Sequence, residues 1–195
     1  MKFFCIGVFR SGTTSTRKYL ESLGLSAVDW DVISRNFANY PHNMGPIYKS
    51  LDEHDVFGDL PYNYPEFILT MIERYPDALF FLSTRNESDW LKSLKRHRAS
   101  RIEGVSNLIT ESTLKHAGVS GSSDEELKAS YVSRNRKVVK MFQDLDQGSR
   151  LCSFSLDDSS NSSAKVKATI DQFLIGHGFG LEVGKNSFPW EERTR

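Results

Sequence analysis

The sequence has little of what would place it outside ordinary globular chemistry. Only two cysteines occur in 195 residues, Cys5 and Cys152. Both fall inside apparent strands, which argues against a disulfide framework and suits buried, reduced thiols. A cytoplasmic location is the expectation that follows. No apolar run approaches the roughly 18 residues of a membrane-spanning helix, so no membrane role is expected. The N-terminal run Lys2-Phe3-Phe4-Cys5-Ile6-Gly7-Val8 is too short for the apolar core of a signal peptide. Charge of one sign is also missing: Lys+Arg and Asp+Glu number 25 each. The chain therefore lacks the general cationic field that nonspecific nucleic-acid binding requires. Any anion site has to be built locally.

What is present is an alternation of strands and helices. Residues 2–8 form an apolar run that ends in a Gly/Ser/Thr cluster, and Thr14 to Leu23 follows with helical periodicity, closed by Gly24. A second unit runs from Asp55-Val56-Phe57-Gly58-Asp59 through a Leu60-Pro61 turn. Beyond Pro65 its helix carries Phe67, Ile68, Met71 and Ile72 and stops before Pro76. In the third, the strand Ala78 to Ser83 leads through Thr84-Arg85-Asn86 into a helix from Glu87 to His97 with Trp90, Leu91 and Leu94 on one face. Residues 99–122 lose the periodicity and read as a surface excursion or lid. A long helix from Ser123 to Gln143, a strand from Arg150 to Leu156 and a helix from Ala164 to Leu174 come next, and 176–195 reads as an irregular tail. The pattern predicts one α/β domain over 1–195, with three layers, a central parallel sheet flanked by helices and the 3–8 strand in the middle.

Gly7-Val8-Phe9-Arg10-Ser11-Gly12-Thr13-Thr14 has the two-glycine frame of a phosphate loop, placed between strand and helix as an anion cradle requires. The lysine that bridges the terminal phosphates of a nucleoside triphosphate is missing, because Thr13 stands in its place. The frame keeps its backbone N–H groups and its helix N-terminus while triphosphate chemistry is impaired. The plain alternative is a tight turn with Thr13 or Thr14 as helix cap. Arg17 and Lys18 fit exposed helix positions better than ligand positions.

Arg10-Ser11-Gly12-Thr13-Thr14 resembles the 5′-phosphosulfate loop of sulfotransferases that use 3′-phosphoadenosine 5′-phosphosulfate (PAPS), in their cytosolic and bacterial-type branch with a P-loop-like fold. The resemblance implies that Arg10, Ser11, Gly12, Thr13, Thr14 and Ser15 bind the donor. Arg10 stands where many members have a catalytic lysine; as a permanent cation it would stabilise the leaving phosphate oxygen without donating a proton. Arg85 and Ser93 match the pair that grips the 3′-phosphate, in PAPS and in its product PAP. Tyr75-Pro76-Asp77-Ala78 and Trp90 match one cytosolic branch. Asp59-Leu60-Pro61 occupies the place of the element bearing the catalytic base, so Asp59 is the implied general base. An Asx-type cap on the turn is the competing role for Asp59, and His42, His54 and Asp55 are fallback bases. Tyr131, Arg134, Val138 and Phe142 resemble a later family helix, and Arg150 to Phe154 its following strand.

The chain departs from the family in three ways. Ser15 replaces the Trp on which many members stack adenine, a Gly-rich lysine-bearing segment near the C-terminus is missing, and the chain is short. The implied partner is a small-molecule or carbohydrate acceptor, with no metal and no nucleic acid. Two other functions compete: a Mg²⁺-dependent kinase or NTPase, disfavoured by the missing loop lysine, and a module that binds PAP without catalysis.

Overall fold

The computed structural model describes residues 1–29, 44–99, 110–156, 162–180 and 188–189. Four strands, β1 (Phe3–Cys5), β2 (Val56–Gly58), β3 (Leu79–Thr84) and β4 (Leu151–Ser155), form one all-parallel sheet in the order β2-β1-β3-β4. The helices among the described residues are α1 (Thr13–Ser22), α2 (Gly45–Glu53), α3 (Pro65–Arg74), α4 (Glu87–Ala99), α5 (Glu111–His116), α6 (Asp124–Asp144) and α7 (Ser162–Gly176). The expected α/β fold class is what the structure has, with β1 in the interior of the sheet.

Period-two alternation explains the layers. Phe4, Ile6, Phe57, Phe80 and Leu82 point to one face and join Leu51, Ile68, Trp90, Val138 and Phe142 from α2, α3, α4 and α6. Phe3, Cys5, Val56, Phe81, Cys152 and Phe154 point to the other, where Tyr19 and Leu20 of α1 and Ile170 and Leu174 of α7 cover them. The register aligns Phe4 with Phe57 and Phe80, and its ring lies 5.3 Å from each, a cross-strand aromatic row that fixes how the three strands align. Both cysteines are free and buried, and burial pushes both thiols well above their ordinary range.

Several boundaries differ from the sequence expectation. β1 ends at Cys5 because the chain turns immediately afterwards: the Ile6 N–H still bonds Phe81 O at 2.9 Å, and the Ser11 N–H then closes onto Val8 O at 3.0 Å. Helix α2 was not anticipated, although Pro46 in its first turn and the buried pair Ile47 and Leu51 are ordinary helix signals. Within 99–122, Thr110 and Thr113 form a reciprocal cap for α5, and Leu114, Ala117 and Val119 are buried. Residues 100–109, and 181–187 and 190–195 of the expected tail, lie outside the described residues.

Candidate active site

In a parallel sheet every strand delivers its next residues to the same edge. At the C-terminal edge of this one, β1 delivers the loop 7–14, β2 delivers Asp59, β3 delivers Arg85 and β4 delivers Leu156. The loop places two residues in the left-handed region, Arg10 at φ 66° and Gly12 at φ 105°. Alternation of this kind turns successive backbone N–H groups toward one point, which makes an anion-binding concavity. Helix α1 follows directly with Gly12 as its N-cap and no side chain bonded to the N–H groups as a cap. Neither threonine acts as the cap, so the positive end of the helix dipole is left for a ligand.

The loop is closed tightly from behind. The Ser11 and Ser83 hydroxyls lie 3.2 Å apart. A Cβ at Gly7 would come within 2.4 Å of Ser11 Oγ and 2.8 Å of the Ser83 carbonyl oxygen. One at Gly12 would come within 1.8 Å of Leu156 Cδ1. Gly7→Ala is therefore expected to lower the melting temperature by roughly 2–10 °C, the shift that overpacking produces in a domain of this size. A thermal melt matching the parent would show that the loop does not need this close approach.

Asp59 sits just past β2 at φ 60°, a conformation that Asp tolerates better than most residues. Its Oδ1 accepts a hydrogen bond from Thr13 Oγ1 at 2.9 Å, so the carboxylate is tied to the first residue of α1. Arg10 Nε donates to Ser93 Oγ of α4 at 3.3 Å. Arg85 is half-buried, and its backbone N–H donates to the Tyr131 hydroxyl at 2.9 Å. Trp90 stacks on Tyr131 at 4.2 Å, with 9° between the rings, and its Nε1 donates to Phe9 O at 2.8 Å. The structure thus brings Arg10, Ser11, Gly12, Thr13, Asp59 and Ser93 together, with Ser93 joined to the loop arginine. Thr14 is half-buried and Ser15 buried, both in the first turn of α1.

Other sequence candidates fall elsewhere. His54 and Asp55 precede β2 and so lie at the opposite edge of the sheet. Burial alone would raise the Asp55 carboxyl, but hydrogen bonds from Ser26 and the charge of Lys2 hold it below its ordinary value. His42 lies outside the described residues. Arg17 Nη1 donates to Val28 O at 2.7 Å, and Lys18 is exposed. Arg134 is 2% exposed and gives its hydrogens to the carbonyls of Ile6, Asn63 and Ala117, while burial pulls it down to about 10. It stays a cation at neutral pH, beneath the start of the loop. Two residues escaped the sequence reading. His97 follows Ser93 by one helical turn on α4, and burial first, then the Arg10 charge, holds its ring below the ordinary histidine value; only the i, i+4 spacing hinted at it. Asn63 carried no motif at all.

A two-glycine loop at the C-terminal edge of an all-parallel sheet, leading into a helix and bonded through Thr13 to the carboxylate of Asp59, defines a phosphate-loop-type α/β protein without the loop lysine of triphosphate enzymes. A family model described as a sulfotransferase domain matches residues 2–160. The chain belongs to that family. A comparison with curated proteins gave no match. Among the described residues, no group of His, Cys, Asp and Glu is arranged to hold a metal ion, and no helix is long and apolar enough to cross a membrane.

Proposed function

We propose that residues 1–195 act as one domain, a PAPS-dependent sulfotransferase that works in the cytoplasm and moves a sulfuryl group to a hydroxyl or amine of a small-molecule or carbohydrate acceptor. The observation that carries this reading is the Thr13–Asp59 hydrogen bond, which sets a carboxylate against the loop that would receive the phosphosulfate. The cationic and N–H donor set of that loop fits such an anion. PAPS supplies the sulfuryl group, whose bond to the 5′-phosphate oxygen breaks as the acceptor oxygen or nitrogen bonds to sulfur. Asp59 takes the proton that the acceptor loses. Arg10 and the N–H groups of the loop balance the negative charge that grows on the departing 5′-phosphate. Arg85 and Ser93 hold the 3′-phosphate, with Ser93 also orienting Arg10.

Calorimetry with PAP, AMP, ATP and GDP tests the reading, which expects PAP to bind tightest. Arg85→Ala should weaken PAP binding by roughly tenfold or more, the loss of one charge-assisted contact, and leave AMP nearly unchanged. Equal losses for both nucleotides would assign Arg85 to the fold instead.

His97 gives a pH signature. Its depressed value means that between that value and the ordinary one near 6.5 the unfolded chain binds more protons, so stability falls as pH drops through that window. An anion seated on Arg10 cancels one of the two depressing causes. PAP binding below about pH 6.5 should therefore be accompanied by proton uptake, read as a buffer-dependent heat. Identical heats in buffers of different ionisation enthalpy would separate His97 from the site.

A further inference from the structure

Asn63 carries polar groups that the fold does not use. Its side chain is fully enclosed, at 0% exposure. Neither amide atom, Nδ2 or Oδ1, has a hydrogen-bond partner among the described residues. An enclosed amide without a protein partner is destabilising unless a water or a ligand group replaces the hydrogen bonds it made in solvent. The main chain of Asn63, by contrast, is fixed from two sides. Its N–H donates to Asp59 O at 3.0 Å. Its carbonyl accepts from Arg134 Nη2 at 2.7 Å, and that same nitrogen donates to Ile6 O at 2.9 Å. Asn63 is thus pinned to the candidate base directly, and through Arg134 to the residue that precedes Gly7. An unspent donor and acceptor on a residue whose main chain is bonded to that of Asp59 fit a partner that arrives with the substrate.

Resting on the sulfotransferase reading above, we propose that Asn63 recognises the acceptor by binding a second hydroxyl adjacent to the one that is sulfated, so that vicinal diols are preferred over isolated hydroxyls. The chemistry of the amide leads there. Oδ1 accepts only and needs a partner with a proton to give. The reacting hydroxyl has one proton, and that proton is committed to Asp59. The partner of Oδ1 is then a second donor on the acceptor, and a hydroxyl next to the reacting one meets that need while its oxygen leaves lone pairs for Nδ2 or for water. Because the amide is enclosed, acceptor entry has to displace what packs over it.

Matched acceptors test this: cyclohexanol against cis-1,2-cyclohexanediol, and phenol against catechol, with PAP release followed at saturating PAPS. After correction for the doubled hydroxyl count, the parent enzyme should favour each diol in kcat/KM by about tenfold or more, the discrimination one engaged hydrogen bond supplies. Asn63→Leu has the same branching without the polar atoms. It should erase the preference, leave PAP affinity unchanged and raise the melting temperature by about 2–4 °C as the unpartnered amide is removed. Asn63→Ala, which adds no bulk, should lose the preference equally. A parent enzyme indifferent to the second hydroxyl, or a leucine variant that keeps the preference, overturns the proposal. So does a drop in melting temperature for both variants, which would show that the amide is satisfied within the folded protein. A parent that fails to bind PAP would instead sink the sulfotransferase reading itself.

Discussion

Asp59→Asn should leave PAP affinity and melting temperature close to those of the parent while turnover falls by about a hundredfold or more, the usual scale for a lost general base. The substitution is conservative in each structural respect that matters here. Asparagine occupies the left-handed region as readily as aspartate, which the φ of 60° at this position demands. Its side-chain oxygen can still accept the hydrogen bond that Thr13 gives to Asp59. What it cannot do is take a full proton at neutral pH. If Asp59 were only a turn residue, turnover would survive; if it held the loop together through its charge, stability and PAP binding would fall together. The measurement needs an acceptor found by screening, because water can reach sulfur without help from Asp59 and PAPS hydrolysis would understate the loss.

Arg10→Ala is expected to act on both binding and chemistry. A charge-assisted contact contributes about 1.5–3 kcal/mol, so PAP should bind roughly tenfold or more weakly. Removing a donor aimed at developing charge costs about 10²–10³ in turnover. Arg10→Lys, which keeps the charge but not the planar fork, should recover part of the turnover and less of the hydrogen bond to Ser93. The His97 ring supplies a control independent of catalysis, since loss of the Arg10 charge should move its titration upward, visible by NMR. An alanine variant with parental turnover would remove Arg10 from the reacting centre.

The fold was legible because its signals are local. The runs at 3–8 and 78–82 are apolar throughout, as strands buried on both faces must be, and each helix behind them carries its own periodicity. Helix α2 went unread because Gly45-Pro46 looks like a turn, although Pro46 lies in the first turn of the helix. The site was legible only as far as its motifs reached. Arg10, Asp59, Arg85 and Ser93 were named through the family resemblance, but the bonds made at the candidate site span long stretches of chain, such as the separation of 46 positions between Thr13 and Asp59. No local pattern encodes the positive φ of Arg10 or Asp59, because neither is a glycine. Asn63 was opaque for another reason, and Arg134, though named through the resemblance, gave no hint of its bonds: a buried polar side chain gives no periodic signal, and its role emerges only from what surrounds it.

The Trp90 brace has a consequence for selectivity. One rigid ring system touches the Phe9 carbonyl in the loop and stacks on Tyr131, whose hydroxyl holds the Arg85 backbone. Under the proposed assignment, those two ends hold the 5′- and 3′-phosphates of a single ligand. Indole and phenol rings do not stretch, so the gap between the two grips behaves as a fixed gauge. A nucleotide would then be chosen by the span between its charges more than by the identity of its base, and a serine could stand at position 15 without loss of discrimination against ligands that carry a single phosphate group.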